Sequence, residues 1–292
     1  MNIAQIKKRA DDLLKDCKPQ VIRTLIIMVL IGAIPSLIQG NNFLFSFISF
    51  VLAILFIPFT HGQIVTALKV VRNNKNALED DDALVGFHRF KELFFTYFLT
   101  GLFVFLVAFI IIFIALFIFI MMFGPMITNF ATSIGVIDYT NILSYVDLIS
   151  YFGAYGSAMV LAFMFVVLVI VVIMVILSLY FFAVPYLLEQ YNFKGMQAIN
   201  ESFSFIKGNV WNLLKLQLSF IGWIILIEII QTALIKVLAF IPILGSVIAV
   251  IVASILAIYV YMPKYIVSMA IFFEEIAYYK YNSRQQGEVI NE

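Results

Sequence analysis

Two stretches of the chain, Leu99 to Phe123 and about Ala158 to Leu188, carry no charged residue and consist almost entirely of Phe, Ile, Leu, Val, Met and Ala. At about 1.5 Å of rise per residue each is long enough, as a helix, to cross a hydrocarbon layer of about 30 Å. In lipid the backbone must satisfy its own hydrogen bonds, so continuous apolar runs of this length predict membrane-spanning helices. The rest of the sequence agrees: 64% of its 292 residues are hydrophobic and 12% are charged, against about 25% charged in soluble domains. A net charge of +1 gives no basic field to neutralise phosphates, which sets nucleic acid aside as a partner. Cys17 is the single cysteine, so no intrachain disulfide or cysteine-based metal cluster is possible. Residues 1 to 23 are too charged for a signal-peptide leader, and no small-residue cleavage site follows, so the segment is expected to be retained.

Four further stretches qualify as spans, at about 21–38, 43–68, 213–235 and 237–262, and with 99–123 and 158–188 they make six. Orientation follows from the basic residues, which cytoplasmic segments retain. Lys7, Lys8, Arg9, Lys15, Lys18 and Arg23 precede the first span. Lys69, Arg72, Lys75, Arg89 and Lys91 join the second to the third, and Lys194, Lys207 and Lys215 join the fourth to the fifth. Lys264, Lys280 and Arg284 follow the sixth, which leaves Lys236 as the one exception among 18. Six spans with both termini cytoplasmic satisfy this distribution. An odd number would scatter it over both faces.

Before each odd-numbered span lies a stretch that is apolar at helical spacing. These are Ile3, Ile6, Ala10 and Leu13 in the first, Leu84, Phe87, Phe90 and Phe94 in the second, and Met196, Ile199, Phe203 and Ile206 in the third. Such patterning predicts amphipathic helices lying at the membrane surface. Each even-numbered span ends near a proline, Pro58, Pro185 or Pro263, which bends the helix as it leaves the membrane. The expected fold is an all-α membrane protein, a single polytopic domain over 1–292. Its six transmembrane helices form three helical hairpins, each preceded by an amphipathic interfacial helix. The outer segment 124–156 carries Asp138, Asp147, Tyr139, Tyr145, Tyr151 and Tyr155 but no basic residue, and its aromatics predict an interfacial anchor, with a lid or partner surface as the alternative.

Catalytic constellations are missing from the sequence. The only histidines are His61 and His88, and no nucleophile–base, metal-ligand or phosphate-loop motif appears, so neither an enzyme, a metal site nor a cofactor is expected. What remains is a polar seam on the fifth span, where Gln217, Glu228, Gln231, Thr232 and Lys236 fall on one broad face of a continuous helix, and a second set on span two, Thr60, His61, Gln63 and Thr66. A carboxylate inside a span is costly unless paired or hydrated, so Glu228 either faces the bundle interior or reaches water along the seam. On the sixth span Gly245, Ala249, Ala253 and Ala257 recur every four residues and form a smooth ridge for helix packing.

The runs Ala198-Ile199-Asn200-Glu201-Ser202, Ile206-Lys207-Gly208-Asn209, Leu218-Ser219-Phe220-Ile221-Gly222-Trp223, Pro263-Lys264-Tyr265 and Phe272-Phe273-Glu274-Glu275 resemble the bacterial integral-membrane family catalogued as domain of unknown function 975. The layout is also similar to the membrane region attached to some bacterial glycerophosphodiester phosphodiesterases, whose catalytic domain has no counterpart here. The resemblance implies a protein of the bacterial cytoplasmic membrane with about six spans and no established activity. With the seams and interfacial helices it leads to the expectation of a non-catalytic protein whose partners are the lipid bilayer and an amphipathic ligand, a lipid or membrane-active peptide, or a membrane protein. Envelope protection or lipid handling would fit. The alternative is a small transporter or channel with Glu228 and His61 on its path.

Overall fold

The computed structural model of the protein describes residues 2–38, 42–135, 142–241 and 244–289, with the side chains of 126–135, 142–152, 154, 155 and 281–289 outside that description. The described residues form helices and turns without a strand. In order they are α1 (Ile3–Leu14), α2 (Lys18–Gly32), α3 (Phe43–Phe56), α4 (Gly62–Val71), α5 (Val85–His88), α6 (Phe90–Gly135) and α7 (Ile142–Phe181). There follow α8 (Val184–Tyr191), α9 (Met196–Ile206), α10 (Val210–Leu218), α11 (Ile221–Val237), α12 (Leu244–Val260) and α13 (Met262–Val289).

Four stretches, Lys18–Ile38, Phe43–Val71, Phe90–Pro125 and Gly156–Tyr191, are long and apolar enough to cross a membrane. Two bent pairs raise the number to six if each counts as one span: α10 with α11, bent by 48°, and α12 with the part of α13 up to Lys280, bent by 61°. The backbone stays helical well beyond the third and fourth spans as read from the sequence. The helix α6 continues to Gly135 through Pro125, and α7 begins at Ile142, so much of the segment 124–156 is helical. Gly40, Asn41, Asp138, Tyr139 and Pro242 lie outside the described residues, as do the side chains of Tyr145, Asp147, Tyr151, Tyr155 and Arg284.

The chain divides into two compact units, Gly101–Ser178 and the remainder, Met1–Thr100 with Leu179–Glu292. The smaller unit exposes side chains that are overwhelmingly apolar. Phe105, Phe109 and Phe113 stack in a row at centroid spacings of 6.3 and 6.4 Å, and Phe119 meets Phe163 edge-on at 6.4 Å. Only a hydrocarbon solvent accommodates so much exposed Phe, Ile, Leu and Val.

In the larger unit the core sits around three helices, α4, α8 and α13, each with a proline in or shortly before its first turn. Proline lacks an N–H, so it ends the helix before it, but it costs nothing in a first turn, where that N–H has no partner. Pro185 starts α8, Pro263 starts α13, and Pro58 lies in a 3-10 turn, Ile57–His61, that leads into α4. These helices bury Leu68, Leu187, Leu188, Ile266, Phe272 and Phe273. Phe273 is sandwiched between Tyr186 and Phe205, each at 4.8 Å between centroids.

Several sequence expectations change here. After the sixth span as read from the sequence the chain continues in α13, whose Ile266, Ala270, Phe273 and Ala277 recur at helical spacing and are all enclosed. The apolar faces of α1 (Ile6, Ala10, Leu14) and α9 (Phe205, Ile206) are covered by this protein core. The second amphipathic stretch is not one helix. It breaks into a 3-10 turn, Asp80–Leu84, then the four-residue α5, while Phe90 and Phe94 belong to α6. The cause is a close approach of backbones: a Cβ on Gly62 would collide with the Asp82 carbonyl oxygen, and one on Gly86 would lie 2.5 Å from Phe59 Cα. Lys69 then locks the turn, its Nζ 2.5 Å from Asp82 Oδ1 and 2.6 Å from the Ala77 carbonyl. The sixth span, read from Val237, starts as helix only at Leu244, because α11 runs to Val237 and a turn intervenes.

Candidate functional site

His61 is fully enclosed where the 3-10 turn enters α4. Its Nδ1 is 2.8 Å from the Tyr97 hydroxyl and its Nε2 is 3.0 Å from Glu189 Oε2. A carboxylate only accepts, so Nε2 carries the proton and Nδ1 accepts from the tyrosine O–H in the neutral ring. Glu189 is also held by Arg89, whose Nη1 lies 2.5 Å from Oε2. Arg89 Nε reaches Glu92 at 3.2 Å, and Lys194 reaches the other oxygen of Glu92 at 3.0 Å. The Gly195 N–H donates to Thr96 Oγ at 3.0 Å, with Gly195 in a left-handed conformation (φ +53°) that favours glycine. The network ties the base of α6 to α4, α8 and the start of α9. A Tyr–His–Glu row resembles a catalytic relay in spacing, but the ring is closed to any substrate and Glu189 is already neutralised by Arg89. Its chemistry is that of a clamp.

Of the sequence-read candidates, only His61 takes part in this network. Gln63 is half-buried at the start of α4. The seam expected along one continuous helix is divided: Gln217 stands on α10, whereas Glu228, Gln231, Thr232 and Lys236 stand on α11 beyond the 48° bend. The bend falls at Ser219, whose hydroxyl turns back to donate to the Leu216 carbonyl at 2.7 Å. Glu228, Thr232 and Lys236 are exposed, and Gln217 and Gln231 are half-buried. Gly245, Ala249, Ala253 and Ala257 are buried, with Ala253 and Ala257 packed around Ile227 of α11.

Arg89 and Lys194 entered the sequence reading only as basic flanks of the spans, and Glu92, Tyr97 and Glu189 were not singled out there as site residues. Glu189 is the first acid after the long charge-free run of the fourth span, a signal that marks a span end but names no partner 128 residues away.

Two openings flank the core of the larger unit. A trough of about 1070 Å³ between the ends of α1 and α13 is lined by Arg9, Glu274, Glu275 and Tyr278, and its charges are matched by the pairs Arg9–Glu275 and Arg72–Glu274. A smaller cleft of about 390 Å³ is differently composed. Lys7, Asp11, Lys15 and Lys18 come from α1 and the start of α2, Phe220 and Trp223 from the start of α11, and Tyr259, Tyr261 and Lys264 from the break between α12 and α13. It joins cationic side chains to exposed rings on apolar helices, the composition of a site for a molecule with a charged end and an apolar end.

Neither a curated protein nor a solved structure matches the chain. A family model described as "Protein of unknown function (DUF975)" matches residues 1–280, and the chain, all-helical and rich in apolar helices, belongs to that family.

Proposed function

We propose that the chain is a non-catalytic multi-pass protein of the bacterial cytoplasmic membrane that binds an amphipathic molecule, or a membrane partner presenting one, at its cytoplasmic side. In this reading six spans form three helical hairpins, each preceded by an amphipathic element, and both termini are cytoplasmic. The observation that carries it is the lysine-lined, ring-walled cleft of about 390 Å³ at the foot of apolar helices. The distribution of basic residues supports the orientation. Protection of the envelope from membrane-active peptides, or an accessory role in lipid handling, suits such a protein.

The arrangement is tested with reporter fusions. Those placed after Asn41, within 137–141 and at Phe240 report the outside, and those at Asn74, Asn192 and the C-terminus report the cytoplasm; a cytoplasmic signal from 137–141 sinks the six-span reading. The function is tested with purified protein in liposomes. Entrapped potassium ions and protons leave no faster than from protein-free liposomes. A flux abolished by Glu228→Gln would instead establish the transporter reading, because Glu228 is the only carboxylate within the spans read from the sequence.

A further inference from the structure

We infer that the cleft between α1 and the α11–α12 pair is a binding site for an anionic phospholipid, its phosphate held by Lys7, Lys15, Lys18 and Lys264 and its acyl chain laid along α11 and α12. The inference rests on the amphipathic-ligand reading above and gives the ligand a chemical class.

The charge balance comes first. Four lysines line the cleft against one carboxylate, Asp11. Asp11 is taken by Lys264 at 2.5 Å, and Asp12, just outside the lining, is taken by Lys15 at 2.7 Å. Even with both carboxylates counted, the lysines leave an excess of positive charge. Lys7 is held in place from two sides, donating to the Ser219 carbonyl at 3.2 Å with its ammonium 4.4 Å above the centre of the Phe220 ring. Burial and the neighbouring Lys264 charge push its amine below the ordinary lysine range. An anion entering the cleft relieves that repulsion. Lys18 makes no ion pair among the described residues and remains available to it.

The walls decide which anion. Trp223 and Tyr259 are 46% and 57% exposed at the rim, and rings of this kind settle at the level of lipid headgroups, apolar body inward and polar tip toward water. Beyond them exposed Ile224, Ile225, Val252 and Leu256 continue the surface along α11 and α12. A free phosphate would use the lysines alone. A phospholipid uses both ends, the ammonium groups for its phosphodiester and the apolar track for a chain. Basic pockets between helices at the cytoplasmic face recognise anionic lipid headgroups in this way.

The test uses full-length protein in mild detergent, probed by native mass spectrometry with dioleoyl phosphatidylglycerol, dioleoyl phosphatidylcholine and inorganic phosphate. Phosphatidylglycerol is retained at least about tenfold more tightly than phosphatidylcholine, and inorganic phosphate at equal concentration does not displace it. Lys15→Gln with Lys18→Gln, both exposed, weakens that retention about tenfold or more. Lys91→Gln with Lys207→Gln removes the same charge from exposed positions elsewhere and leaves it unchanged. Equal weakening by both pairs would reduce the effect to diffuse attraction and overturn the site. Displacement by phosphate would overturn the lipid assignment. Equal retention of both lipids would overturn the anionic preference while leaving the amphipathic-ligand reading intact, whereas retention of neither overturns both.

Discussion

Glu189→Gln lowers the stability of the protein by about 2 kcal/mol and leaves it able to insert. The substitution keeps the shape of the side chain but removes the charge that Arg89 and His61 share, so a guanidinium and an enclosed imidazole lose their common acceptor. Removing one partner of a buried pair costs about 3–5 kcal/mol, because the other charge stays desolvated. Here Glu189 is 22% and Arg89 34% exposed, and screening by solvent reduces the expected loss. Thermal unfolding in detergent measures it. A double-mutant cycle with Arg89→Gln should show coupling above about 0.5 kcal/mol, as expected for side chains in direct contact. Lys15→Ala, which breaks the surface-exposed pair with Asp12, is the control and leaves the melting temperature unchanged. If Glu189→Gln melts with the unsubstituted protein, the clamp contributes nothing.

Gly86→Val abolishes the native fold at moderate temperature, with an expected cost of about 3 kcal/mol or more. A Cβ at Gly86 would stand 2.5 Å from Phe59 Cα and 2.8 Å from Phe59 N, and backbone atoms cannot step aside as the end of a flexible side chain can. Overpacking usually costs about 1–3 kcal/mol, with larger values where the obstacle is backbone. The measurement is the fraction of protein that elutes as a single folded species from detergent extracts at matched expression. Gly101→Ala and Gly222→Ala supply the contrast: nothing lies within 4 Å of a Cβ at either position, and helix propensity favours alanine over glycine by up to about 1 kcal/mol. A well-folded Gly86→Val protein would mean that α5 and the turn around Phe59 are not held as close as the structure has them.

Hydropathy and charge placement are local quantities, and what depends on them was legible from the residues alone. Uninterrupted apolar runs such as 99–123 and 158–188 must satisfy their backbones internally, so their helices follow from composition and length. Prolines 58, 185 and 263 marked breaks for the same local reason, since a missing N–H ends a helix wherever it occurs. The family runs were readable too, being strings of adjacent residues. Whether a local pattern faces lipid or protein is a different kind of question. The stripes of α1 and α9 have the period of surface helices, and the same period suits a helix buried against α13, which only the packed core reveals. The sequence placed the 48° bend nowhere, because Ser219 and Phe220 are compatible with a straight helix until their neighbours are known.

The sites divide along the same line. His61 stood out as one of two histidines, but its meaning comes from Tyr97 and Glu189, 36 and 128 residues away. Lys7, Lys18, Trp223, Tyr259 and Lys264 read individually as basic flanks and interfacial aromatics, and nothing in their order shows that they share a cleft. Sequence by itself determined the solvent each segment can tolerate, because transfer free energy is roughly a sum over residues. Tertiary structure alone decided which charges meet, since a contact between distant residues depends on how the chain folds back and not on any property that a residue carries with it.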